Sequence, residues 1–407
     1  MDKNILDSID MSQLGRELQK ARTKSNLTQD DAAKIIEVAR TTLLAIEQGK
    51  RRVKADELIK LAHAYGHQVS DFVRPHPSVA MSTPQFRGPT LRTPEDNEKI
   101  APYVEQLKHL AQNYFELEEK TDAPRIQKYP NEYDVEGLPM DSAAESVAME
   151  ERNRLGLGDG PIPILRDVLE QDVGLKIFYI PLPSSLSKFS AIYLYDKQVG
   201  GCIAVNANHT EERKRLSLAH DYGHFLVHRQ NPLVYIEDNY RRKPGSERFA
   251  DDFAFYFLMP TSSLMRRVND IRRAKNGVST GDLCTVASRY GVSVPAMAFR
   301  LEEMHLLPTG TWDRLKEAGF RVQEAQKKLG LNPIPESGGK LPTRYQYLAF
   351  DAFDKGLITE AVFAEFLEVD RLEARAVAEI LRGGTENLFT SDFAHSMNES
   401  SGIEEDE

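Results

Sequence analysis

Between Ser12 and Arg74, apolar side chains return at helical spacing in short bursts. They are Leu14, Leu18 and Ala21; Ala32, Ala33 and Ile36; Leu43 and Ile46; and Leu58, Leu61 and Ala62. The pattern predicts a compact all-α bundle over residues 12–74. Thr28 stands where a helix N-cap is expected, with Asp30 and Asp31 in the first turn, and Gly49 and Gly66 stand at C-cap positions. From Pro75 to Pro94 the periodicity stops and prolines punctuate the chain, which predicts a linker over 75–100. Val104, Leu107, Ala111, Tyr114 and Leu117 then share one face of a helix over 101–120, within a connecting segment that runs to residue 140. That stretch is too short for a coiled coil and reads as a helix docking on the next domain.

A second domain starts near Asp141. Helices over 141–155 and 163–172 precede three strand-like apolar runs at 175–180, 189–196 and 202–207. Long helices at 210–229 and 246–258 follow, and further helices carry the domain to residue 310. A separate helical segment is expected over 340–382 and a disordered acidic tail over 383–407. The fold class is mainly α with a small β-sheet, α+β overall.

Composition narrows the function classes. At 41% hydrophobic and 28% charged the chain reads as soluble and globular. No apolar run approaches the roughly 18 residues of a membrane span, and residues 1–13 lack the basic and apolar regions of a secretion signal. A cytoplasmic protein is expected. Cys202 and Cys284 are too few for a disulfide scaffold and read as core residues. The net charge of −10 conceals an asymmetry, because residues 12–75 hold 12 Lys/Arg against 8 Asp/Glu. A small positive module on an acidic body fits a DNA-contacting segment attached to a domain that does not touch DNA.

The detail of that segment carries more than its charge. Leu14-Gly15 and Arg22, then Leu27-Thr28-Gln29, Val38, and Ile46-Glu47-Gln48-Gly49 stand in the order and spacing of one motif. Over about sixty residues the segment resembles the Cro/C1-type (XRE) helix-turn-helix regulators. In that motif the second helix lies in the major groove with its N-terminal residues at base edges. Here it is 40–47, which offers Arg40, Thr41, Thr42, Leu44 and Ala45. Arg40 suits guanine, and Thr41 or Ala45 suits a thymine methyl. The resemblance places Gln29 at a phosphate or base, and Lys50, Arg51 and Arg52 at phosphates. It also implies a homodimer on a double-stranded operator with two half-sites. Ala39 departs from the family, which caps this helix with Ser or Thr, at a cost of about 1 kcal/mol.

The second chemical signal is Leu218-Ala219-His220-Asp221-Tyr222-Gly223-His224. Histidines four apart on a helix share a face and can close on one zinc ion. Spacing alone is weak, since His63-Ala64-Tyr65-Gly66-His67 repeats it at a helix end and reads as structural. Context separates the two. His220 and His224 are mid-helix, and Gly223, costly there by about 1 kcal/mol, implies something packed closely against that turn. Further on comes Ser246-Glu247-Arg248-Phe249-Ala250-Asp251-Asp252-Phe253-Ala254, ending Phe257-Leu258-Met259-Pro260. Together these resemble the ImmA/IrrE metallopeptidases over residues 141–310, with a zincin-like fold. The resemblance implies zinc held by His220, His224 and Glu247, with Asp251 a weaker candidate and His228 too far along the helix.

Asp221 takes the place of the family's glutamate, the general base of the H-E-x-x-H motif. A shorter carboxylate matters, because misplacement by about 1 Å can cost a hundredfold in rate. Residues 283–293 and 357–375 also look like helix-turn-helix pieces, and are read as core rather than as second DNA readers. The expected function is a DNA-binding transcriptional regulator whose zinc-peptidase-like domain senses, binds or cleaves a partner protein. Two rivals stand beside it: an active zinc endopeptidase that cuts another repressor, and an antitoxin that binds a toxin.

Overall fold

A computed structural model describes residues 11–25, 27–66, 69, 72, 94–230, 233–236, 245–275, 277–332, 334 and 338–390. The chain divides into two compact units, Met1–Ser78 and Val79–Glu407.

The first unit packs α1 (Met11–Lys24), α2 (Gln29–Ile35), α3 (Arg40–Glu47) and α4 (Ala55–Ala64) around Leu14, Leu18, Ala33, Leu43, Ile46, Leu58 and Leu61. Thr28 caps α2 reciprocally: Asp31 N donates to Thr28 Oγ1, and Thr28 N donates to Asp31 Oδ2, both at 3.2 Å. Ala39 precedes α3 without a side-chain cap. The Leu14-Gly15 pair has a geometric cause. A Cβ on Gly15 would lie 2.5 Å from Ile46 O and 2.6 Å from Glu47 O, so α1 crosses the end of α3 backbone to backbone. His63 is exposed on α4, and His67 lies outside the described residues.

The second unit is built on a four-stranded mixed sheet of order β1-β3-β2-β4. Its strands are β1 (Lys176–Ile180), β2 (Phe189–Asp196), β3 (Gly200–Asn206) and β4 (Leu233–Ile236). β1 runs parallel to β3, while β2 is antiparallel to both β3 and β4. β1, β2 and β3 read as unbroken apolar runs because both faces are covered. Ile177, Tyr179, Ala191, Tyr193, Ile203 and Val205 face one core, shared with α5 (Met140–Arg154), α6 (Glu211–Val227) and α7 (Gly245–Leu258). Phe178, Ile180, Ile192, Leu194, Cys202 and Ala204 face the other. That second core is closed by a helix at Pro94–Lys120 and by three helices at Thr343–Asp354, Glu360–Phe366 and Arg371–Thr390. A buried ion pair ties the layers, with Lys176 Nζ 2.8 Å from Glu118 Oε2 and Arg344 Nη1 2.6 Å from Glu118 Oε1.

The sheet-side core continues through α8 (Thr261–Lys275), α9 (Thr280–Tyr290), α10 (Val294–Glu303), α11 (Thr311–Glu317) and α12 (Val322–Lys328). α9 and α10 are the helix-turn-helix-like pair of the sequence, joined by Gly291. Buried Arg215 fastens them to α6 by donating from Nε to Gly291 O at 3.0 Å. Cys202 and Cys284 are both buried.

Several boundaries differ from those the sequence predicts. The helix expected from residue 101 starts at Pro94, since proline suits a first turn and Glu95 and Asp96 follow it there. The helix expected over 163–172 is a short turn, Leu165–Asp167, continuing as a π-helix, Val168–Val173. β4 carries too short an apolar run to be recognised in advance. The tail expected to be disordered from residue 383 is helical to Thr390, because the last helix runs on through Gly383 and Gly384.

Candidate functional sites

In the first unit, α3 presents Arg40, Thr41 and Leu44 to solvent, with Thr42 and Ala45 half-buried. Behind this surface lies a chain of polar contacts. Arg22 Nε donates to Glu47 Oε1 at 2.6 Å in the core. Gln29 Nε2 donates to Glu47 Oε2 at 3.0 Å, and Arg40 Nε donates to Gln29 Oε1 at 3.3 Å. The buried pair therefore braces Gln29, and Gln29 braces Arg40. Lys50 is exposed beyond α3. Arg51 is engaged elsewhere. Its two terminal nitrogens lie 3.0 and 2.8 Å from the oxygens of Glu57, which also accepts Lys54 N at 2.9 Å and so caps α4. Its fork serves the fold, a link that sequence position alone did not reveal.

In the second unit, α6 and α7 lie against one another, and Gly223 explains how closely. A Cβ there would meet Phe253 Cδ1 at 2.9 Å and Ala250 Cα at 3.3 Å. This approach brings His220 and His224 on α6 against Glu247 in the first turn of α7. Nε2 of His224 is 3.1 Å from Nε2 of His220. Glu247 places one oxygen 3.5 Å from His220 Nε2 and the other 3.4 Å from His224 Nε2. Among the described residues these three form the cluster able to hold a metal ion, with donor atoms within 4.8 Å of one another. Donors about 2.0–2.1 Å from a tetrahedral zinc would sit about 3.3 Å apart, so the observed spacings fit the ion closely.

Asp251, one turn beyond Glu247, lies outside that donor set. Its Oδ1 is 2.9 Å from His220 Nδ1. A proton held there leaves the Nε2 lone pair facing the centre, the usual arrangement behind a ligating histidine. Burial alone would lower His220, but its contacts with Asp251 and Glu247 outweigh this and raise it to about 9. Burial likewise opposes the charge on Glu247, yet the two histidines hold it well below the carboxylate range. The pocket favours positive charge at the point where the donors converge. His224 is lowered by burial, and its Nδ1 has no partner among the described residues.

Asp221 is fully buried. Neither of its oxygens has a hydrogen-bond partner among the described residues, and burial pushes it up to about 7. It stands beside the cluster without joining it. His228, at the end of α6, has its ring 6.1 Å from that of His224.

Residues 18–71 match the helix-turn-helix family model, and residues 170–302 match the model of the IrrE N-terminal-like domain. The first span contains Gln29, Arg40 and Glu47; the second contains His220, His224 and Glu247. No curated protein matches the chain. Among solved structures, Bacillus thuringiensis PlcR in complex with the peptide PapR7 and DNA aligns over 93% of this chain and 100% of its own at 11% identity. The TM-score is 0.17.

Proposed function

We propose that this chain, an XRE-type helix-turn-helix regulator carrying an ImmA/IrrE-like domain, reads a two-half-site operator as a homodimer. In the same proposal, its second domain holds zinc between His220, His224 and Glu247. The observation that carries the metal reading is the convergence of two imidazole nitrogens 3.1 Å apart on one carboxylate. Among the described residues no helix is long and apolar enough to cross a membrane, and in this reading the chain acts on DNA in the cytoplasm.

Zinc bound by this set would supply Lewis-acid chemistry in a peptidase, or a rigid cross-link between α6 and α7 in a binding domain. The chain's own residues favour the second use. His220 and His224 are each 1% exposed and Asp221 is 0% exposed, and Glu247 is the more open donor. Asp221 also has a shorter reach than the family's glutamate, and general-base geometry tolerates little displacement. The domain then binds a partner protein, such as a repressor or toxin, and conveys that binding to the regulator.

One observation favours cleavage. Asp221 has no competing hydrogen bond among the described residues and lies beside the donor set, where a general base toward water belongs. Incubating the full chain with the proteins encoded beside its gene decides between the readings. Binding without cleavage, alike in wild type and Asp221→Asn, supports the binding domain. Cleavage by wild type that is lost in Asp221→Asn makes the chain a working endopeptidase.

A further inference from the structure

Residues 261–330 hold 12 Lys/Arg against 7 Asp/Glu, a second basic stretch in a chain whose net charge is −10. Its densest part is α8, where Arg266, Arg267, Arg272, Arg273 and Lys275 stand against a single acid, Asp270. All five cations are exposed. Arg273 approaches Asp270 only at 3.9 Å, and Arg272 donates to the uncharged carbonyl of Leu306. Arg267 has no acidic partner among the described residues. Lys275 reaches Asp282 in the first turn of α9 at 2.7 Å. Leu329, just past α12, packs 3.6 Å from where a Cβ on Gly281 would sit, bringing exposed Lys327 and Lys328 to the same end of α9. The basic ends of α8 and α12 thus converge on the N-terminus of α9, where the Asp282 carboxylate offsets part of the positive charge. Arg266 pairs with Asp159, and helix dipoles account for cations in a last turn, but neither accounts for Arg267 in the middle of α8.

We propose that this surface binds the sugar-phosphate backbone of duplex DNA without reading sequence, as a second contact beside that of α3. The proposal rests on the reading of the chain as a DNA-binding regulator. Duplex DNA fits better than a protein partner. The charges are spread along an exposed helix about 22 Å long, and neither α8 nor α12 contains an aromatic anchor of the kind that dominates protein interfaces. Arginine-rich helices suit phosphate, and backbone contacts position a protein without specifying sequence. Because both surfaces lie on one chain, binding by the first makes the second contact intramolecular, so a weak site suffices.

The experiment measures binding of the full chain to a random-sequence duplex several turns long, over roughly 50 to 200 mM salt. Each phosphate contact contributes about 0.9 to the slope of log affinity against log salt. The triple variant Arg267→Gln, Arg273→Gln, Lys327→Gln is expected to lower that slope by about 2 to 3. The charge-conserving variant Arg267→Lys, Arg273→Lys, Lys327→Arg is expected to retain it. Lys50→Ala, in the first unit, serves as the reference. If Lys50→Ala lowers the slope and the triple variant does not, this proposal fails while the DNA-binding reading stands. If wild type shows no salt-dependent binding to the duplex, both fail.

Discussion

Glu47 Oε2 accepts a hydrogen bond from Gln29 Nε2 at 3.0 Å, so the residue that ends α3 fixes the residue that opens α2. Since Gln29 in turn accepts from Arg40, exposed Arg40 is held by a core ion pair. Gln29→Ala should leave stability nearly unchanged while relaxing base preference at the position Arg40 reads, by about 1–3 kcal/mol of discrimination. Glu47→Ala strands the buried Arg22 guanidinium and should destabilise the first unit by about 3–5 kcal/mol. Urea unfolding and a competition assay over variant operators separate the two effects. Equal loss of specificity and stability in Gln29→Ala would contradict the brace.

Arg51 and Lys50 are neighbours with different work. Arg51→Ala removes the bidentate partner of Glu57 and should lower stability by about 1 kcal/mol, with little change in the salt dependence of DNA binding. Lys50→Ala should do the reverse, lowering the salt slope by about 1 without affecting unfolding. A matched fall in salt slope for Arg51→Ala would restore it to the phosphate contacts.

The N-terminus of α9 gives a pH signature. Lys275, Ser279 Oγ and Ser279 N all donate to the Asp282 carboxylate, the lysine contributing most, and hold it at about 2. A carboxylate lowered on folding contributes stability that is fully present above its unfolded value near 3.9 and is lost as pH falls through about 2. Surface screening limits this to about 1 kcal/mol. The thermal midpoint of Asp282→Asn should lie below wild type by a constant margin from pH 7 to 5, and the margin should close as pH falls below 4. A margin that stays constant across that range would remove Asp282 from the account.

In the proposed zinc site, Asp251 acts through its contact with His220. Asp251→Ala should weaken metal affinity about 10–100-fold without abolishing binding, and Asp251→Asn, which can still accept from Nδ1–H, should recover part of it. Competition with a chromophoric chelator reads this directly. Complete loss of metal in Asp251→Ala would make it a ligand.

Much of this was legible in the sequence for reasons that the structure makes physical. Gly15 and Gly49 mark the helix-turn-helix because one sits against the backbone of α3 and the other takes a left-handed conformation, φ 69°, at the end of that helix. Gly223 announced the crossing of α6 and α7 that joins Glu247 to the histidines. β1, β2 and β3 were visible as apolar runs because both faces of the sheet are buried there. What escaped was non-local. Nothing in sequence spacing links Glu118 to Lys176 and Arg344, and nothing near Arg51 shows that Glu57 will occupy it. Nor does the pattern of residues 343–366 show that these helices will close the far face of the sheet. The π-helix at Val168–Val173 has an ordinary helical pattern, and its extra residue per turn left no mark on it.

The central claim is a single metal ion held by His220, His224 and Glu247, and elemental analysis of the purified full chain tests it most directly. The account predicts one zinc per chain in wild type and in His63→Ala, whose exposed histidine on α4 starts the same sequence spacing. It predicts loss of zinc in His220→Ala, His224→Ala and Glu247→Ala alike, since a three-ligand site tolerates the loss of none. Zinc retained at wild-type level in His224→Ala, or lost in His63→Ala, would contradict it.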